Sequence, residues 1–283
     1  MSTSIRRILN ALERAGARPI ISRLATNWAR KLTKLNVEIF YDEFWIVRLG
    51  DSFLPRKQYF DIYAWDIQHL RFLWKHYFRE PLDYWTHQYL PQPGDVVFDI
   101  GAGIGTDTLL FSELVGPEGK VYAFEAHPTT FRRLQKTCQW NQLVNVVQIP
   151  CALWSEKGHV WISNLEQDVS NSTQSINDNG LSTRVDAIDL DTFVDVNRIG
   201  KINFLKMNIE GAERMAICGM RNTIGKIKNI AIACHDFLDQ GGSRAFATRD
   251  EVLNFLRDNN FEVSQRSDDV RPYVRDHVHG TLK

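Results

Sequence analysis

The stretch that most constrains this chain is Val96–Glu125, VVFDIGAGIGTDTLLFSELVGPEGKVYAFE. Val96–Ile100 is a short apolar run interrupted only by Asp99, the composition of a parallel strand buried on both faces. Gly101, Gly103 and Gly105 follow at alternate positions, and Thr106–Val115 carries Leu109, Leu110 and Leu114 at helical spacing. Gly116-Pro117-Glu118-Gly119 is turn chemistry, and Lys120–Glu125 reads as a second strand ending in an acid. The unit is therefore strand, turn, helix, strand. Glycines let the backbone turn tightly and lie against a ligand, and the helix start offers free N–H groups. An acid at the tip of the second strand can accept hydrogen bonds from two ribose hydroxyls. Such a unit is suited to a nucleoside-bearing cofactor.

Which cofactor follows from what the glycines are not. A dinucleotide fingerprint wants Gly-x-Gly-x-x-Gly, and Thr106 stands where its last glycine belongs. A phosphate-gripping loop wants Gly-Lys-Ser/Thr, and the turn has no lysine. What remains is Asp-x-Gly-x-Gly-x-Gly, with Asp99 closing the first strand. A carboxylate there opposes a pyrophosphate and suits an amino-acid ammonium. With Glu125 in register, the pattern resembles motif I of the class I S-adenosylmethionine methyltransferases. Another nucleotide binder, or a purely structural turn, is the alternative. The three glycines, Asp99 and Glu125 are the expected cofactor holders.

The rest of the chain alternates strands and helices, which predicts an α/β doubly wound sheet with ligands at the carboxyl ends of its strands. Pro128 opens a helix running to about Asn141, and Asn145–Ile149 is strand three. Ser155–Ser163 reads as a hairpin turning at Glu156-Lys157-Gly158, and the polar run Asn164–Ser182 as a surface loop. Arg184–Phe193 reads as a strand leading into a helical turn. Ile202–Met207 is strand four, Met215–Ile224 a helix, and Ile230–Cys234 strand five. A helix over Arg249–Asn259 starts at a capping-type Thr248, and Phe261–Val263 and Val274–Gly280 close the sheet antiparallel.

Ahead of Pro91-Gln92-Pro93-Gly94, which marks the boundary, lies an extension over residues 1–90; residues 91–283 form the cofactor domain. The extension reads as mostly helical. Residues 4–35 form two basic amphipathic stretches around Gly16 and Pro19, with Ile5, Ile8, Leu9 and Leu12 on one face and Ile20, Ile21, Leu24, Trp28, Leu32 and Leu35 on another. Val37–Phe60 suggests short strands or a lid, and Ile62–Leu90 is helical and dense in aromatics. The chain of 283 residues has zero formal net charge, which gives no global attraction to nucleic acid. That neutrality hides eight basic side chains against one acid, Glu13, in the first 36 residues. An arm of this kind packs on its own core, pairs with a second copy in a homodimer, touches a membrane surface, or serves as a cleaved targeting peptide. Cys138, Cys151, Cys218 and Cys234 lack Cys-x-x-Cys spacing and read as buried reduced thiols of a cytoplasmic protein. No run of 18 apolar residues and no convincing metal-ligand set is present.

A closer likeness rests on five segments. They are Val-Phe-Asp-Ile-Gly-Ala-Gly-Ile-Gly (97–105), Phe-Glu-Ala-His-Pro (124–128), Ala152-Leu153, Val-Asp-Ala-Ile-Asp-Leu-Asp (185–191) and Leu-Lys-Met-Asn-Ile-Glu-Gly-Ala-Glu (205–213). Together they resemble the FkbM-type methyltransferases over about residues 91–240. The resemblance implies S-adenosylmethionine as cofactor, with Ala102, Ala126 and Ala152 beside Asp99, Gly101, Gly103, Gly105 and Glu125. It also implies methyl transfer to a hydroxyl of a small molecule, sugar or glycan. One departure matters: the family pattern has Asp where this chain has Asn208. A hydroxyl is a poor nucleophile and needs a base, which an amide cannot be. Asn208 is then left to position the acceptor, and Glu210 and His235 become the base candidates, with Asp236 nearby. Glu213 reads as structural. Nitrogen methylation, or a cofactor-binding scaffold that lost its base, are the competing readings.

Overall fold

The computed structural model describes residues 11–56, 80–163, 182–238 and 246–283. The Ile5–Leu9 face, the aromatic run over 57–79 and the polar loop over 164–181 lie outside the described residues. The chain orders as α1 (Arg18–Thr33), β1 (Val37–Asp42), β2 (Phe44–Leu49), β3 (Ser52–Pro55), α2 (Glu80–Trp85), β4 (Val96–Ile100), α3 (Thr106–Val115), β5 (Lys120–Phe124), α4 (Pro128–Trp140) and β6 (Val146–Ile149). There follow β7 (Ala152–Leu153), β8 (Gly158–Ser163), β9 (Ser182–Ile188), α5 (Leu190–Val196), β10 (Ile202–Met207), α6 (Glu213–Cys218), β11 (Ile227–Ala233), α7 (Arg249–Asp258), β12 (Phe261–Gln265), α8 (Pro272–Arg275) and β13 (His277–Leu282).

Seven strands form the central sheet in the order β12-β13-β11-β10-β4-β5-β6. The five strands β11, β10, β4, β5 and β6 are parallel, and β13 joins β11 antiparallel, as does β12 with β13. The inner strands are apolar nearly throughout because both faces are covered. On one face Val97, Val121, Phe204 and Ala231 pack with Phe111 and Val115 of α3 and Trp85 of α2. On the other, Phe98, Ile100, Leu205, Met207 and Ile230 meet Phe193 of α5, Ala216 of α6 and Leu256 of α7. This is the α/β doubly wound sheet that the alternating pattern predicts, and its carboxyl ends place the site.

The extension is built around its own small core. Strands β1, β2 and β3 form an antiparallel meander, and Ile21, Ala25 and Ala29 of α1 bury against Val37, Ile39, Trp45 and Val47. It docks on α4: Asn141, one residue past that helix, accepts from Phe53 N (2.9 Å) and donates to Phe53 O (2.7 Å). Lys136 pairs with Asp42 at 2.9 Å, and Phe40 meets Trp140 edge-on.

Four expectations need correction. The segments 152–153 and 158–163 do not form a hairpin: β9 lies between them, parallel to β7 and antiparallel to β8. The helix expected over Met215–Ile224 is α6 alone, followed by a single tight turn at Ile224–Lys226. Thr248 stands at the start of α7 without capping it; the Asp236 carboxylate accepts the Thr248 and Arg249 N–H groups instead. Cys218 is exposed, while Cys138 and Cys234 are buried.

Candidate active site

The site lies where β4, β5 and β10 end. After β4 the chain turns through Gly101, Gly103 and Gly105, all with positive φ, before α3 begins. Two of the three glycines are forced by neighbours. A Cβ on Gly101 would fall 1.9 Å from the Asn208 carbonyl oxygen, and one on Gly105 2.8 Å from Leu134 of α4. A Cβ on Gly103 meets nothing within 4 Å, so that glycine borders open space. The turn is therefore wedged between the β10 tip and α4, with its middle facing outward.

Glu125 sits at the end of β5. Its Oε2 accepts from Gly103 N at 3.0 Å and its Oε1 from His127 N at 2.8 Å. A carboxylate oxygen can accept more than one hydrogen bond, so this clasp leaves capacity for ligand hydroxyls. Burial raises its pKa to about 7, although the two N–H groups and Lys206 act against the rise. Ala102 and Ala152 are buried and Ala126 is half-buried near them. A carboxylate acceptor fastened to a glycine turn that faces open space fits an adenosyl-amino-acid ligand.

Asp99 is fully buried and occupied by protein. Its Oδ1 takes Lys206 Nζ at 2.8 Å and its Oδ2 takes Thr108 Oγ1 at 2.5 Å. Lys206 is the residue that sequence reasoning passed over. It stands directly opposite Asp99 on β10, donates to Gly101 O at 2.9 Å and approaches Asp107 at 3.4 Å. Burial alone would lower its pKa, and the Asp99 and Asp107 carboxylates reverse this, so the ammonium is held charged. Burial raises Asp107. A lysine in the run Phe204-Leu205-Lys206-Met207, inside a buried strand, is the signal that could have revealed it, because a buried charge implies a buried partner.

At the β10 tip, Asn208 N donates to Ile100 O at 2.9 Å, so this residue lies directly against the glycine turn. The Asn208 side-chain amide makes no hydrogen bond among the described residues. Glu210 adopts a left-handed backbone, φ 53°, and its side chain is 16% exposed. Its Oε2 lies 3.5 Å from His235 Nε2, while His235 Nδ1 meets Glu213 Oε1 at 3.1 Å. Burial would lower the His235 pKa, but the two carboxylates raise it to about 10. An imidazolium has no lone pair to take a proton, so a base role for His235 does not fit this arrangement. Glu213 is fully buried and also accepts from Gly211 N and Thr248 Oγ1. The structure thus brings Asn208, Glu210 and His235 together and puts Asn208 beside Gly101. Asp236, by contrast, is engaged at the start of α7. Among the described residues, no group of three or more His, Cys, Asp or Glu could hold a metal ion.

Residues 99–263 match the domain family described as "Methyltransferase FkbM domain". The chain is 25% identical over 179 residues to the hexuronic acid methyltransferase AglP of Haloferax volcanii, covering 62% of this chain and 72% of that one. It is 26% identical over 229 residues to the 31-O-demethyl-FK506 methyltransferase FkbM of Streptomyces tacrolimicus, covering 70% and 84%. Among solved structures it is similar to a methyltransferase FkbM from Methylobacillus flagellatus, with a TM-score of 0.44 and 17% identity. That match covers 77% of this chain and 55% of that one, so the chain spans little more than half of its length.

Proposed function

The chain belongs to the FkbM-domain methyltransferases, and on that premise we propose that it transfers a methyl group from S-adenosylmethionine to a hydroxyl of a small molecule, sugar or glycan. The two curated relatives support this reading, since their names give a hexuronic acid and 31-O-demethyl-FK506 as acceptors. The single observation that carries it is the seat of Asn208 against the glycine turn, a contact that supports reading the two as neighbouring parts of one site.

S-adenosylmethionine, when bound, supplies an electrophilic methyl on a sulfonium. Glu125 accepts the ribose hydroxyls, with Gly101, Ala102, Gly103, Gly105, Ala126 and Ala152 forming the surrounding backbone surface. Asp99 acts through Lys206, which ties the Gly101 carbonyl and so sets the shape of the turn. Asn208 orients the acceptor hydroxyl. Glu210 takes its proton, and the His235 imidazolium holds Glu210 in place from the side opposite Glu213. Much of the rate comes from holding the acceptor oxygen in line with the methyl. Residues 91–283 form this catalytic domain. Residues 1–90, ahead of the matched segment, form an extension that shapes the acceptor side and makes a peripheral contact.

Calorimetry with S-adenosylmethionine, followed by radiolabelled methyl transfer to a panel of polyols, uronic acids and glycolipids, tests the assignment. Turnover on a hydroxyl acceptor that Glu210→Gln lowers at least a hundredfold supports it. The amide at position 208 favours one rival, a cofactor-binding protein without turnover. Tight cofactor binding with no transfer to any acceptor, and activity gained by Asn208→Asp, would establish that rival instead.

A further inference from the structure

Helix α1 buries one face and leaves another bare. Ile21, Ala25 and Ala29 are inside the small core, whereas Ile20 is 62% exposed, Leu24 58% and Trp28 39%. These three stand four residues apart, one above another on a single stripe, and Leu12, 42% exposed, precedes them. A helix advances about 100° per residue, so Arg23 flanks this stripe and Lys31, three residues past Trp28, continues it, whereas Arg30 reaches back to donate to Val37 O at 2.6 Å. Arg14, Arg23, Lys31 and Lys34 are exposed and have no acidic partner among the described residues. The only acid among the first 36 residues is withdrawn from the surface: Glu13 is buried and accepts from Trp45 Nε1 at 2.9 Å. The exposed face is therefore an apolar stripe accompanied by cations, with no acid anywhere on the helix.

The geometry points to an anionic lipid surface as the partner of this face, with Ile20, Leu24 and Trp28 entering the headgroup boundary and Arg23 and Lys31 meeting lipid phosphates. Charge decides the occupant. A second copy of the chain would bring the same cations against these, whereas an anionic bilayer complements them and accepts an aromatic side chain at its interface. Among the described residues no helix is long and apolar enough to cross a membrane, so the contact is peripheral. The inference rests on the peripheral role assigned above to the extension and is independent of the methyl-transfer reading.

Co-sedimentation of the full chain with vesicles tests it, using phosphatidylcholine alone and phosphatidylcholine with about 30% phosphatidylglycerol. The wild type is expected to partition at least tenfold more strongly onto the anionic vesicles, with the preference fading at high salt. Ile20→Ser/Leu24→Ser/Trp28→Ser should lose sedimentation, and Arg23→Glu/Lys31→Glu should lose the anionic preference. Both variants should keep the wild-type melting temperature and cofactor affinity, since these side chains are exposed and outside the site. The inference is overturned if the wild type stays in solution with anionic vesicles at low salt, or if either variant sediments like the wild type. It is also overturned if the apolar variant converts a dimer to a monomer while lipid leaves the wild type unaffected, which would identify a second copy as the partner. Vesicle binding by a chain that shows no affinity for S-adenosylmethionine would uphold this surface and remove the methyltransferase reading.

Discussion

Two side chains set how the site responds to pH and to mutation. Glu125 has its pKa raised to about 7 by burial, so its folded form binds a proton that the unfolded chain releases near the ordinary glutamate value. The group's contribution to stability is complete below that ordinary value and is lost as pH rises towards 7. Ribose recognition runs the opposite way, because the ionised carboxylate is the better acceptor. Affinity for S-adenosylmethionine should rise about tenfold between pH 6 and pH 8, and Glu125→Gln should flatten that profile in calorimetry. Lys206 faces a different test. Lys206→Met leaves Asp99 and Asp107 buried without their cation and should cost about 3–5 kcal/mol in denaturant unfolding. Adding Asp99→Asn should cost less than the two single losses combined, because the second change removes a charge that the first stranded. Equal additivity would mean that the two residues do not act as a pair.

At the scale of elements, the strand–turn–helix–strand unit was readable because its signals are local: apolar runs, glycines and a terminal acid within 30 residues. The glycine turn illustrates the limit of such reading. Its conformational freedom was evident, but its reason was not, since the Asn208 carbonyl that excludes a Cβ at Gly101 comes from a strand more than a hundred residues away. The same distance hid the Asp99–Lys206 pair, which exists only because β10 is inserted beside β4. Strand β9 likewise enters between β7 and β8 and displaces an expected local hairpin. The surroundings of His235 were hidden for the same reason: its two carboxylate neighbours, Glu210 and Glu213, are brought to it by the fold, and they favour its protonated form. Gly101→Ala should push β10's tip away from the turn. A loss of S-adenosylmethionine affinity of at least tenfold is expected, with a lower melting temperature, whereas Gly103→Ala meets no neighbour and should cost only the strain of its positive φ, about 1–2 kcal/mol, a smaller drop in melting temperature than Gly101→Ala gives.

The whole molecule joins two cores through α4. The small core of α1 and β1–β3 rests on the outer side of that helix, and the Asn141 side chain clasps the β3 backbone at both of its polar ends. Asn141→Ala should cost about 1–3 kcal/mol, the scale of buried backbone groups left without partners. Two calorimetric unfolding transitions in place of one would show that this clasp makes the cores a single cooperative unit; one unchanged transition would show that the aromatic contacts suffice.

Helix α4 has a second duty on its inner side, where Leu134 and Thr137 press on Gly105 and Thr137 Oγ1 donates to the Ile104 carbonyl at 2.5 Å. Thirteen residues of rigid rod thus connect the arm to the nucleoside seat. If anchoring the arm shifts the affinity of that seat by some factor, thermodynamic reciprocity requires donor occupancy to shift the strength of anchoring by the same factor.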